Sequence, residues 1–108
     1  MDLAMVYDDY PAMALIQLAD LGFGDDAKSL AHGKAIPPVN TSGGQLSAGQ
    51  AGAAGGHLGI VEALRQVTGQ TLGKAVPGAR RALASGFGMI NYDRGLCSGA
   101  AVIEGVRP

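Results

Sequence analysis

Apolar and polar positions recur along this chain at two periods, and those periods predict its elements. Residues 3–7 form a short apolar run that reads as a strand. Ala12, Leu15, Ile16 and Ala19 fall at i, i+3, i+4 and i+7, one face of a helix with Pro11 at its first position. Asp8 or Asp9 is the expected cap of that helix, and Gly22 its left-handed end. Residues 25–38 show no clear period, and Pro37-Pro38 keeps the backbone extended before Asn40. A second helix is expected over 57–69, closed by Gly69. Its apolar face carries His57, Ile60, Val61, Leu64 and Thr68, while Glu62, Arg65 and Gln66 point away. Residues 82–90 read as a glycine-containing strand, 91–95 as a turn and 97–106 as a final strand. The order β-α-loop-α-β-β predicts one α/β domain, a mixed sheet packed with helices and ending in a hairpin.

The stretch from Asn40 to Gly56 is dense in glycine and leads into the second helix. Backbone without Cβ atoms turns sharply and approaches a ligand closely. A helix starting where such a loop ends directs its unpaired N–H groups and the positive end of its dipole into the loop. The expectation is a cradle over residues 49–56 for an oxygen that carries or develops negative charge. Nucleotide templates fail here. Gly44 to Gly49 has the phosphate-loop spacing, but Gln50 stands where the lysine is required, and no Gly-x-Gly-x-x-Gly is present.

Composition narrows the classes further. At 108 residues the chain is one small domain, with 16% charged residues, a net charge of −1 and no basic cluster for nonspecific nucleic-acid binding. Hydrophobic residues reach 47%, yet no run approaches the roughly 18 apolar residues of a membrane span, and the N-terminus lacks the pattern of a secretory signal. The single cysteine, Cys97, excludes an internal disulfide, fits a reducing cytoplasm, and reads as a small buried apolar residue. His32 reads as solvent-exposed in a loop, His57 as a hydrogen-bonded core histidine, and Asn40 as a partner for loop backbone groups. Two isolated histidines, one cysteine and scattered acids offer no metal-ligand spacing.

Asn40 to Gly56 also resembles the C-terminal signature of the thiolase superfamily, an Asn-x-x-Gly-Gly stretch followed by Gly-His-Pro and a helix start. Gln50 stands where that histidine would be, and Ala51 where the proline would be. Val6-Tyr7-Asp8-Asp9-Tyr10 is similar to the strand end carrying Asn-Glu-Ala-Phe or His-Asp-Cys-Phe, with Tyr7 in place of the residue that fixes a catalytic water. Leu18 to Phe23 is similar to a leucine-glycine helix end of the family. Ala84-Ser85-Gly86-Phe87-Gly88 resembles the Cys-x-Gly-Gly-Gly strand, with Ala84 at its second cysteine. Cys97 lies well past that point. The resemblance implies a C-terminal half-domain spanning 1–108 that is incomplete: the N-terminal thiolase half and the first strand and helix of this domain are absent.

As the resemblance has it, a working thiolase uses a nucleophilic cysteine, an activating histidine and a second, proton-carrying cysteine; none is available here. Glutamine donates hydrogen bonds but does not exchange protons near neutral pH. The pattern is similar to the lipid-transfer or sterol-carrier-type branch, whose aldolase members use tyrosines as proton carriers and work with an OB-fold and zinc-ribbon partner. Implied roles are Tyr7 as proton carrier (Tyr10 next) and Gln50 with the Gly86 N–H as oxyanion donors. Oxyanion-hole or cationic neighbours would lower the phenol's pKa. The implied activity makes or breaks a carbon–carbon bond in an acyl-CoA, retro-aldol rather than thiolysis, and is absent from the chain alone. Coenzyme A thioester enters as substrate, with no covalently bound cofactor, and the chain works as a homo- or hetero-oligomer. A non-catalytic acyl-CoA-binding or assembly subunit is the alternative.

Overall fold

A computed structural model describes residues 1–50 and 52–106 of the chain. The sheet has three strands in the order β1 (Leu3–Met5), β2 (Arg81–Asn91) and β3 (Arg94–Glu104). β1 runs parallel to β2, and β2 pairs antiparallel with β3 in one constant register from Arg81↔Glu104 to Asn91↔Arg94. The α/β class and the terminal hairpin are as the sequence predicts. On the outer side of β1, Val39 forms a parallel bridge to Ala4, where Ala4 N–H reaches Pro38 O and Asn40 N–H reaches Ala4 O. The two prolines therefore keep the chain extended for a purpose, since extended backbone can lie against a strand.

β1 is apolar at successive positions because the sheet is covered on both sides. Leu3 and Met5 face α4 (Leu58–Thr68) and pack with Ala63, Val67, Ala82 and Ala84. Ala4 and Val6 face the opposite layer, with Leu18 of α1 (Pro11–Asp20), Leu30 of α2 (Ala27–Ala31) and Leu83. α1 starts at Pro11 as expected, but its N-cap is Tyr10 without a side-chain bond, so neither Asp8 nor Asp9 caps it. Its buried stripe is rotated by about one residue: Leu18 is buried with Ala14, Leu15 and Ala19 against its cluster, while Ala12 and Ile16 are exposed. Gly22 closes α1 with φ +83°, Gly22 N–H bonding Ala19 O and Phe23 N–H bonding Leu18 O. That pair of bonds, with Phe23 and Leu18 in one cluster, is the Schellman arrangement. α2 lies in the stretch without a period. Asp26 Oδ1 accepts from Ser29 N–H at 2.6 Å and Ser29 Oγ accepts from Asp26 N–H at 3.4 Å, a reciprocal cap at a local spacing.

α4 ends at Gly69, as predicted, but presents the opposite face to the sheet. Ala63 and Val67 are buried against it, Gly59 lies beside Met5, and Glu62 and Gln66 are buried. Ile60, Val61 and Leu64 are each more than two-fifths exposed, and His57 and Thr68 are exposed as well. The sheet beneath is floored by Ala82 and Ala84, so small residues at i, i+4 and i+8 let the helix approach closely. The buried polar pair is satisfied: Thr41 Oγ1 donates to Glu62 Oε1 at 2.6 Å, and Gln66 Nε2 donates to Glu62 Oε1 and to Lys74 O, each at 2.8 Å. Val76 N–H donates to Gln66 Oε1 at 3.0 Å. Hydrophobicity alone would turn the Ile60, Val61 and Leu64 face inward; complementarity with alanines and a partnered polar network reverses it.

Cys97 in β3 is exposed, against the expectation of burial, and Tyr10 at the helix entry is exposed as well. No helix among the described residues is long and apolar enough to cross a membrane.

Candidate functional site

β1 ends at Met5, yet the backbone beyond it does not go unpartnered. Val6 N–H donates to Asn40 Oδ1 at 2.9 Å and Asn40 Nδ2 donates to Val6 O at 3.1 Å, so one side-chain amide stands in for a neighbouring strand. Asn40 therefore serves backbone groups, as the sequence suggests, but those of the strand end rather than of its own loop. On the next residue Gln17 of α1 does the same. Tyr7 N–H donates to Gln17 Oε1 at 3.2 Å, and Gln17 Nε2 donates to Tyr7 O. Ser85 Oγ also donates to Gln17 Oε1, at 3.1 Å. Two carboxamides thus carry the chain from the sheet to Tyr7 in a defined direction.

The glycine-rich segment folds into α3 (Gly44–Ala48) and a 3-10 helix (Gly52–His57) that runs directly into α4. His57 has helical backbone, so the expected fan of free N–H groups at the start of the 57–69 helix does not open there. The anion at a helix start is internal to the protein. Asp8 Oδ1 accepts from Gln45 N–H at 2.7 Å and Asp8 Oδ2 accepts from Leu46 N–H at 3.4 Å, placing a buried carboxylate on the N-terminus of α3. Gly44 makes this possible: its φ is +69°, and a Cβ there would fall inside the Asp8 carboxylate. Gln45 ties the two helical pieces together, its Nε2 donating to Gly55 O at 2.9 Å.

Tyr7 and Gln50, distant in sequence, meet. Gln50 Nε2 donates to Tyr7 Oη and, at 3.0 Å, to Asp9 Oδ1. The Tyr7 ring stands edge-on to Phe87, centroids 5.3 Å apart at 77°. Both hydrogens of the Gln50 amide are engaged, so Gln50 holds the phenol beside a carboxylate before anything else binds. Burial, then the Asp9 charge and its hydrogen bond, raise the Tyr7 pKa above the ordinary tyrosine value. The expected lowering is corrected: the neighbour is an anion, not a cation, and the phenol is held as an acid.

Because the folded pKa is raised, the protonated phenol's contribution to stability is fully present below about pH 10. It is lost as pH rises from there through the shifted value. In an ultraviolet phenolate titration, the difference between wild type and Tyr7→Phe should show a midpoint above the ordinary tyrosine pKa. A midpoint at or below that value would mean that Asp9 and burial do not act on the phenol.

A cavity of about 370 Å³ opens at the carboxyl end of β1, lined by Tyr7, Gln45, Leu58, Ala84 and Gly86 among others. The carboxyl ends of strands are where open α/β sheets place ligands. Tyr7 and Gly86 share this cavity, whereas Gln50 is exposed and joins it through its bond to Tyr7. The Gly86 amide is the exception to the expected donor set. Asp2 N–H bonding Arg81 O and Gly105 N–H bonding Arg80 O set the phase of β2. Alternation then turns Gly86 N–H toward Gly99 in β3, leaving a side-chain-free wall rather than a free donor. Ala84 lines the cavity at the position that the resemblance gives to a cysteine. Ala51 lies outside the described residues.

Asp8, Asp9 and Gln17 were not legible as site residues. The available signals were two adjacent carboxylates beside Tyr7 and a lone carboxamide within an apolar helix. A model of the thiolase C-terminal domain-like family matches residues 1–97. No curated protein and no solved structure matches the chain.

Proposed function

The chain belongs to the thiolase C-terminal domain-like family, and from that premise we propose that it supplies the proton-transfer corner of an acyl-CoA-handling enzyme acting on a carbon–carbon bond. The favoured reaction is retro-aldol cleavage of a β-hydroxyacyl-CoA rather than thiolysis. An N-terminal half or a partner chain, for example an OB-fold and zinc-ribbon protein, completes the enzyme, and this chain alone is inactive. The observation that carries the reading is the Tyr7–Gln50–Asp9 cluster, in which an acid phenol stands where the family's water-fixing residue would be.

The chemistry balances with these groups. The β-hydroxyl proton passes to the Tyr7–Asp9 pair as the Cα–Cβ bond breaks. The hydroxyl carbon leaves as a ketone or aldehyde, and the bond's electron pair forms the thioester enolate. A proton returned from the same pair to Cα gives the shortened acyl-CoA. Gln50 keeps one N–H on Tyr7 and turns the other from Asp9 to the developing oxyanion. Gly86 leaves room for the substrate at the cavity wall. Thiolysis is disfavoured because neither Gln50 nor Ala84 can carry a proton.

The test is co-expression with the products of adjacent reading frames, purification of any complex, and assay for ketone or aldehyde release from a β-hydroxyacyl-CoA. The complex should release the carbonyl product and the isolated chain should not. Thiolytic cleavage of a 3-ketoacyl-CoA by the complex, without carbonyl release from the hydroxy substrate, would overturn the proposal.

A further inference from the structure

β3 (Arg94–Glu104) is the last strand of the sheet, and no described strand pairs with its outer side. It lacks the devices that normally blunt such an edge: it contains no proline, its pairs with β2 keep one constant register, and its charges sit only at its two ends. Gly105 N–H bonds Arg80 O, so the ladder's alternation turns the amides of Cys97, Gly99, Ala101 and Ile103 toward β2. The N–H and C=O groups of Arg94, Leu96, Ser98, Ala100, Val102 and Glu104 therefore face outward.

We propose that this edge pairs with β3 of a second copy of the chain, antiparallel, about a two-fold axis at Gly99. The strand is self-complementary in that register. Arg94 lies opposite Glu104 of the partner subunit, at both ends of the interface. Leu96 lies opposite Val102 of the partner subunit, and both are 56% exposed in the single chain. A cross-strand pair covers each with the other. The two charged ends now make only exposed pairs, Arg94 with Asp93 at 3.7 Å and Glu104 with Arg81 at 3.1 Å, which are weakly held and able to change partners. At the axis, Gly99 faces its own copy as a non-hydrogen-bonded pair, where Cα atoms come within about 4.5 Å. Gly99, Ala100 and Ala101 of this strand also line the cavity beside Tyr7, but the pairing uses only the outward backbone groups and none of the proton-transfer groups, so its failure would leave the proposed chemistry untouched.

The full chain should sediment as a dimer. Nothing lies within 4 Å of a Cβ added at Gly99, and the expected Cα separation suits a disulfide. Gly99→Cys in a Cys97→Ser background should therefore cross-link rapidly under mild oxidation, while Cys97→Ser alone should not. Ala100→Pro removes an outward N–H that β2 does not use, and should give a monomer with wild-type circular dichroism. Val102→Lys should also dissociate the dimer and decides the matter if the proline variant fails to fold. A wild-type chain that stays monomeric up to its solubility limit would overturn the proposal. So would a dimer that persists in Val102→Lys without the Gly99→Cys cross-link. Cross-linking of the wild type through Cys97 would move the axis and overturn the register.

Discussion

Gly44→Ala is expected to lower stability by about 3–5 kcal/mol, the scale at which a buried charge loses its partners. Two costs add at this one position. The backbone sits at φ +69°, where a Cβ is strained, and the new methyl occupies the space of the Asp8 carboxylate. Asp8 would have to withdraw, leaving Gln45 N–H and Leu46 N–H without an acceptor and a buried carboxylate without donors. Against a typical domain stability of about 5–15 kcal/mol, that is a large share. Gly22→Ala provides the comparison. Its φ is +83°, but nothing lies within 4 Å of the added Cβ, so it reports backbone strain alone, about 1–2 kcal/mol. Denaturant unfolding of both variants separates the terms. Equal losses would show that the Asp8 cap on α3 contributes nothing.

Tyr7→Phe is expected to reduce carbonyl release by the completed enzyme by about 10²–10⁴-fold, the usual contribution of a positioned acid–base group. The ring's edge contact with Phe87 and the backbone clamp from Gln17 do not depend on the hydroxyl. Folding should therefore change by only about 1 kcal/mol, the net contribution of a single hydrogen bond. Gln50 would retain Asp9 as an acceptor. The distinguishing readout is the pH profile of turnover: the wild type should lose activity on the alkaline side as Tyr7 ionises, and the variant should lose that limb. Turnover close to the wild type would remove Tyr7 from the chemistry. An unchanged alkaline limb in a slow variant would reduce it to a packing role.

Local rules account for much of the fold. Gly22 and Gly69 end their helices because the required left-handed backbone depends on one residue and its neighbours. The apolar run at β1 and the two strands around residues 91–95 are similarly local. The family signature, too, lies in contiguous residues, and it correctly indicated the C-terminal domain of the thiolase superfamily. Even α2 was within reach, since its cap is the Asp26-x-x-Ser29 spacing.

Facing and partnership were another matter. Periodicity located α4 but assigned Ile60, Val61 and Leu64 to the core. Which side of a helix is buried depends on the surface beneath it, here a floor of alanines that favours Gly59, Ala63 and Val67. The electropositive helix start likewise looked vacant in sequence, because nothing local says that Asp8 returns to occupy it across 37 positions. Only the resemblance put Tyr7 and Gln50 in one site; folding joins them, places Asp9 beside both and turns the Gly86 amide into the ladder. Backbone conformation and capping are short-range energies written in adjacent residues. Burial, hydrogen-bond partnership and pKa are properties of whatever the rest of the chain brings alongside.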